Sequence, residues 1–454
     1  MNLEVVILAA GQGTRMKSKL PKVLHHLAGK SLLSHVICNA QELGAAAIHV
    51  VVGHGAELVK DSTATNNLNW VIQEQQLGTG HAVAQAMTSI GEDSTVLVLY
   101  GDVPLTSAQT LTDLLQKVDA RSMALLTVKL ADPSGYGRII RDAAGQVKAI
   151  IEEKDATAEQ RRINEGNTGI LAVSSRKLKK WLPRLSTNNA QAEYYLTDTI
   201  AMAVAEDMQI NAVTAQTEQE VQGINSRQQL ADLERWYQKQ LANQLMAQGV
   251  TLADPARLDI RGEVSVGQDI FIDANVLLEG SVSIGEGSRI GPNVVIKNAV
   301  IGAGVNIFAN SVIENAEIES GCQIGPFARL RPGTRLAQGA KIGNFVETKN
   351  AFIGIGSKVS HLSYVGDAEL GKEVNIGAGT ITCNYDGANK FKTEIGNGVF
   401  VGSNTALVAP IKIGENATIG AGSTLSRDVE PNTLVVARAI TRVIEGWRRP
   451  TKKK

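Results

Sequence analysis

The sequence predicts an α/β domain followed by an all-β one. Three observations carry this: apolar runs alternating with helical segments early in the chain, a capped amphipathic segment near the middle, and a six-residue apolar repeat after it. At 454 residues the chain is too long for a single core. Glycine marks the change of architecture, with 16 in residues 1–228 and 28 in 229–454. The expected divisions are 1–226, a linker helix at 227–248, and 249–454.

In the first part, runs at 5–10, 48–52 and 96–100 are nearly all apolar, and 32–43 has helical period. Buried parallel strands joined by helices, a doubly wound sheet, account for that alternation. The middle segment opens with Ser226 and Gln229 in capping-box spacing. Leu230, Leu233, Tyr237, Leu241 and Leu245 follow at three- and four-residue steps, and Gly249 supplies a stop. Such a helix is roughly 30 Å long at ~1.5 Å per residue, long enough to be a strut.

The repeat runs through Val266, Ile272, Leu278, Ile284, Ile290 and Ile296. It slips by one residue to Ile301, Ile307 and Ile313, passes through Ile324, Leu330, Leu336 and Ile342, and resumes at Ile395, Val401, Leu407, Ile413, Ile419 and Leu425. Glycine often follows, as in Ile342-Gly343 and Val401-Gly402. One inward aliphatic per short strand with a glycine at the corner describes one side of a coil, and stacked coils form a parallel β-helix. A β-sandwich would show longer alternating runs at irregular spacing. Residues 382–394 do not fit the register and are expected to leave the coil as a loop. The tail, with Arg448, Arg449 and then Lys452, Lys453 and Lys454, reads as a frayed, solvated basic end.

Lys+Arg and Asp+Glu balance at 45 each, which excludes a basic nucleic-acid binder. Cys38, Cys322 and Cys383 are odd in number and far apart, so a disulfide framework or a closely spaced thiolate zinc site is excluded, and a reducing cytoplasm is expected. The apolar run near Met1 is too short and lacks the basic flank of a signal peptide, and no stretch approaches the ~18 apolar residues of a membrane span.

After the first strand come Gly11-Gln12-Gly13-Thr14-Arg15-Met16 and Pro21-Lys22. Backbone N–H groups of a glycine-rich turn can wrap phosphate oxygens, with Arg15 and Lys22 adding positive charge. The spacing is neither a dinucleotide fingerprint nor a Walker loop, and an ordinary tight turn is the plain alternative. Tyr100-Gly101-Asp102 puts a carboxylate at the C-terminal edge of the sheet, where open α/β sheets bind ligands and where Mg²⁺ could be held. Its alternative is a helix N-cap, a role better suited to Thr106 or Ser107.

These motifs, with Gln73, Gly78-Thr79, Asn344-Phe345-Val346-Glu347, 375–379, 382–387 and 445–450, closely resemble the bacterial bifunctional N-acetylglucosamine-1-phosphate uridyltransferase/glucosamine-1-phosphate acetyltransferase family over essentially the whole chain. The resemblance implies a Rossmann-like nucleotidyltransferase domain, a linker helix and a left-handed parallel β-helix of hexapeptide repeats. It also implies two reactions. Acetyl-CoA acetylates glucosamine 1-phosphate, and the resulting N-acetylglucosamine 1-phosphate attacks UTP to give UDP-N-acetylglucosamine, a precursor of peptidoglycan and lipopolysaccharide, and pyrophosphate.

By the same resemblance Leu8, Ala9, Ala10, Gly11, Gln73, Gly78 and Thr79 lie around the uracil and ribose, with Tyr100 and Gly101 beside them. Arg15 and Lys22 face the phosphates, Gly137, Glu152 and Asn167 the sugar, and Asp102 and Asn225 hold Mg²⁺. In the second site His361 is the implied base. Chemistry agrees, since the substrate amine is protonated at neutral pH and needs a group titrating near neutrality to expose its lone pair; a lone histidine at a solenoid corner also has a structural alternative. Arg331, Lys349, Tyr364 and Asn375 match sugar-phosphate contacts, and Ala378, Asn384, Tyr385, Ser403, Ala421 and Arg438 match positions near the acetyl donor. Gln12 stands where many relatives carry lysine, Ala192 replaces a usual glycine, and Ser226, Asn404 and Ala406 are further departures. Flat coil sides and threefold coils point to a homotrimer with acetyl sites between subunits. The competing reading is a sugar-phosphate nucleotidyltransferase whose solenoid is only an oligomerisation or regulatory scaffold.

Overall fold

The apolar runs of the first part lie side by side in one sheet, in the order Gln209–Thr214, Ser122–Lys129, Glu165–Ser174, Ser94–Tyr100, Asn2–Ala9, Ala47–Val52 and Leu68–Ile72. This computed structural model describes residues 2–63 and 67–450, and the chain divides into two compact units, Met1–Trp236 and Tyr237–Lys454. The expectation for Lys452, Lys453 and Lys454 lies outside the described residues; Arg448 and Arg449 are exposed.

Both faces of the sheet are covered. Within Ser94–Tyr100, Leu97 and Leu99 enter one core while Val96 and Val98 enter the other, as a period-two strand buried on both sides must do. The sheet is mixed rather than purely parallel, because Glu165–Ser174 runs antiparallel to both neighbours. It also carries a hairpin, Gly137–Arg141 with Val147–Ile151. Ser31 caps Leu32–Glu42 by accepting from the Ser34 amide at 3.1 Å. Ser107, not Asp102, caps Ala108–Leu115 through the Thr110 amide, which leaves the Asp102 carboxylate free for other work.

The helix Arg227–Ala247 spans the boundary between the units. Ser226 accepts from the Gln229 amide at 3.2 Å, and the Gln229 side chain reaches back to the amide of Asn225 at 2.8 Å, one residue further than a capping box requires. On the first unit Glu234 accepts from the amide of Ala28. In the second, the buried Gln238 pairs with both backbone groups of Ile260, and Leu245 joins the solenoid core. Gln238 and Leu245 thereby cover the open edge of the first coil.

Unit two is the left-handed parallel β-helix. Its inward positions form one continuous aliphatic column, including Ile272, Leu278, Ile284, Ile290, Ile342, Val401, Leu407 and Ile419, all buried. Coils advance by 17 or 18 residues, as in Ile296↔Ile313 and Leu330↔Thr348. The coils continue where the six-residue pattern lapses: Thr348, Ile353, Val359, Val365, Leu370, Ile376 and Thr382 fill inward positions. The step Thr382↔Leu407 takes 25 residues, so a loop leaves the coil there, at 384–392 rather than at 382, since Ile381–Cys383 and Thr393–Ile395 are strands. The corner glycines have a steric cause: a Cβ on Gly343 would lie 1.9 Å from the Ser360 carbonyl oxygen of the next coil.

Candidate functional sites

In unit one, two adjoining cavities open at the C-terminal ends of the parallel strands. One is lined by Leu8, Ala9, Ala10, Gly11, Lys22, Gln73, Gly78, Thr79, Tyr100 and Asp102. The other shares Thr79, Tyr100 and Asp102 and continues through Arg15, Gly137, Glu152, Asn167 and Asn225. Gly101 lines neither. Its amide donates to Leu8 at 2.9 Å and a Cβ there would crowd Val23 and Ala9, so its part is packing.

Lys22 is the hub. Its ammonium donates to Asp102 Oδ2 at 2.5 Å and to Asn225 Oδ1 at 3.0 Å. The Ile224 amide bonds the Asp102 carbonyl at 2.9 Å, tying the two loops together. Two hard oxygens that already converge on one cation suit a divalent ion completed by substrate phosphates, although no group of three His, Cys, Asp or Glu gathers among the described residues.

At the other end, burial pushes the Glu152 carboxyl up, partly countered by a hydrogen bond from Thr197 at 3.0 Å. Burial also raises the Tyr100 phenol. Gly78 has φ +110°, and a Cβ there would sit 2.7 Å from the Tyr194 carbonyl oxygen, because the chain near Glu193 is laid along 77–80 through Tyr194–Leu77 and Gly80–Tyr194 hydrogen bonds. Gln76, bonded to the Ala10 carbonyl at 3.0 Å, and Glu193 line the first cavity. Neither belongs to a motif, so sequence reading passes over both. Ala192 adopts φ +54°, a left-handed conformation that costs any residue but glycine.

In unit two, His361 stands exposed at the end of Lys358–His361, and its Nδ1 lies 2.7 Å from Asn344 Oδ1 on the preceding coil. An amide oxygen in that place is matched by the tautomer with the proton on Nδ1, which leaves Nε2 as the nitrogen with the lone pair. Arg331, Lys349 and Gly366 follow one another on successive coils, and the Tyr364 hydroxyl lies over the bare Gly366. Lys390, from the ejected loop, meets Lys349. That contact first, and the charge of Arg331 after it, lowers the Lys349 ammonium, with Asp367 opposing. Crowded cations of this kind are relieved by a bound phosphate. Asn384 donates to Asp367; Tyr385 is 60% exposed and bonds only within its loop, to Gly387. A groove under the loop is lined by Asn350, Asp367, Glu369, Lys390 and Phe391 but by none of the expected substrate residues.

Ala378, Ser403, Ala421 and Arg438 follow His361 down one corner, linked by Gly379–His361, Asn404–Ala378, Gly422–Ser403 and Arg438–Ala421 hydrogen bonds. Asn375 does not reach this corner; it pairs with Lys358 and Phe400 on the adjoining face. Further up the same corner, left-handed asparagines at 275, 293 and 310 are replaced by Phe327, Phe345 and Leu362, also left-handed and 49%, 56% and 61% exposed. Such positions cost about 1–3 kcal/mol for bulky side chains.

The profile of the MobA-like NTP transferase domain matches residues 5–176. That of the bacterial transferase hexapeptide repeat matches 263–298 and 392–427. The "Bifunctional protein GlmU" of Marinobacter nauticus is 60% identical over 450 residues, 99% of each chain. Those of Stutzerimonas stutzeri and Azotobacter vinelandii are 59% and 60% identical over 100% of both chains. With full-length identity at that level and both halves accounted for, this chain belongs to the bifunctional GlmU family.

Proposed function

We propose that this enzyme acetylates glucosamine 1-phosphate with acetyl-CoA and then transfers UMP from UTP to N-acetylglucosamine 1-phosphate. It is a bifunctional transferase, with uridyltransferase and acetyltransferase activities. Asn344 behind His361 is the observation that carries the second activity. A scaffold has no use for an exposed imidazole bonded to an amide on the preceding coil, on a solenoid that also gathers Lys349, Lys390 and Arg331, with Glu347 paired to Arg331 and Asp367 opposing the crowding at Lys349.

In acetyl transfer, His361 Nε2 takes the proton of the substrate ammonium. The freed amine forms a C–N bond at the thioester carbonyl, the C–S bond breaks, and the second proton shed by the nitrogen passes to the departing sulfur, so that CoA leaves as the thiol. Arg331, Lys349 and Lys390 hold the sugar phosphate, and the corner from Ala378 to Arg438 takes the donor. In uridylyl transfer, a phosphate oxygen of the sugar attacks the α-phosphorus of UTP and pyrophosphate leaves. Lys22 and Arg15 neutralise the triphosphate, while Glu152, Gly137 and Asn167 orient the sugar. Asp102 and Asn225 would hold Mg²⁺, which supplies further charge neutralisation on the phosphates when bound. A cytoplasmic location fits these soluble substrates, and no helix among the described residues is long and apolar enough to cross a membrane. An assay supplied with glucosamine 1-phosphate, acetyl-CoA, UTP and Mg²⁺ is expected to release CoA and pyrophosphate in sequence. Pyrophosphate without CoA release would leave only the scaffold reading.

The active form we infer is a homotrimer with acetyl sites between subunits. The exposed apolar ridge beside His361 and the exposed Tyr385 of the ejected loop, whose hydroxyl donates to Gly387 of the same loop, both support it. Mixing His361→Ala chains with Tyr385→Ala chains should restore acetyl transfer above either parent. A fully active monomer in analytical ultracentrifugation at assay concentration would overturn the arrangement.

A further inference from the structure

We propose that Arg138, buried behind the sugar end of the uridylyl cavity, is a positioning residue that sets Gly137, Glu152 and Asn167 for the sugar phosphate. This deepens the uridylyl reading and rests on it. Arg138 is only 1% exposed, a costly place for a guanidinium unless its donors are met. They are met by three separate pieces of chain. Nη1 donates to the Tyr136 carbonyl. Nε and Nη2 each reach the Arg161 carbonyl at 3.4 Å. Nη2 also lies 2.6 Å from Glu153 Oε2, a charge pair outside hydrogen-bond geometry.

Every candidate sugar contact adjoins this knot. Gly137 precedes Arg138 and pairs with Asn167, while Arg138 itself pairs with Gly166 and Ile151. Glu152 follows Ile151 and precedes Glu153, and its Oε2 lies 3.4 Å from where a Cβ on Gly137 would be. The turn Gln160–Arg162 belongs to no strand of the sheet; Arg138 fastens its backbone to the hairpin and the strand end, and the Arg161 side chain adds a bond to the Glu153 carbonyl at 3.4 Å and lies 3.8 Å from the Glu153 carboxylate. Burial alone would be served as well by an apolar side chain of similar volume. A planar fork with donors for three partners serves to hold their relative positions. The cavity touches Gly137, Glu152 and Asn167 but not Arg138, so the guanidinium acts through them.

Arg138→Lys and Arg138→Met, made in the full chain, should raise the KM for N-acetylglucosamine 1-phosphate by ~10- to 100-fold while the KM for UTP stays within about twofold. Acetyl transfer in the same preparations should be unchanged. Equal changes in both KM values, or a lowered melting temperature with neither KM moved, would reduce Arg138 to a fold residue and overturn the proposal. Should both variants fail to fold, Glu153→Gln, on a side chain one-third exposed, must show the same split at about 3- to 10-fold; no split there overturns it too. Failure of the wild-type chain to use this sugar phosphate at all would instead refute the uridylyl assignment.

Discussion

Replacing Asp102 by alanine should lower uridylyl transfer by about 10²- to 10⁴-fold and leave acetyl transfer unchanged. The carboxylate serves two partners: it fixes the Lys22 ammonium at 2.5 Å, and with Asn225 it makes the oxygen pair proposed for the metal. Removing it frees a phosphate-binding cation and half of that pair together. Asp102→Asn keeps the shape and loses the charge. It should therefore fall between the two, with the Mg²⁺ concentration for half-maximal rate shifted upward. Following pyrophosphate and CoA separately decides the matter, and equal loss of both activities would sink the idea of two independent sites.

His361→Ala should reduce acetyl transfer by ~10²- to 10⁴-fold, while UTP-dependent turnover of supplied N-acetylglucosamine 1-phosphate survives. Raising the pH should recover part of the rate, because the substrate amine then loses its proton to water without help. Asn344→Ala removes only the group that holds the ring, so its loss should be smaller, about tenfold. Retention of full acetylation by the alanine variant at His361 would mean that another group takes the proton.

Much of this site can be read from the chain, and what escapes does so for physical reasons. The glycine turn, Lys22, Asp102 and the Gly78-Thr79 pair stand at strand ends, where a parallel sheet presents ligands. The reversed direction of Glu165–Ser174 is not legible, since an apolar strand has the same pattern read either way. In the solenoid the six-residue count lapses after Ile342 because coils of 17 residues are mixed with coils of 18 and because threonine takes the inward place at 348 and 382. Once that length is known, Asn344 falls one coil before His361, and the residue behind the proposed base becomes visible from arithmetic. Lys390 and Glu193 reach their sites by chain excursions with no periodicity, and Arg138 looks in sequence like any strand arginine.

The two ends of the β-helix are not alike. Gln238 and Leu245 close the first coil with a helix, whereas the last strand, Leu434–Val435, is followed among the described residues by irregular, exposed chain. In a stack where each coil touches only its neighbours, opening starts from the less protected end and moves inward. Backbone amides near Ala421 and Arg438 should therefore exchange with deuterium sooner than those near Ile260. Ala421 and Arg438, proposed to meet acetyl-CoA, thus sit at the end of the solenoid expected to open first, and a bound donor should slow exchange there by covering it.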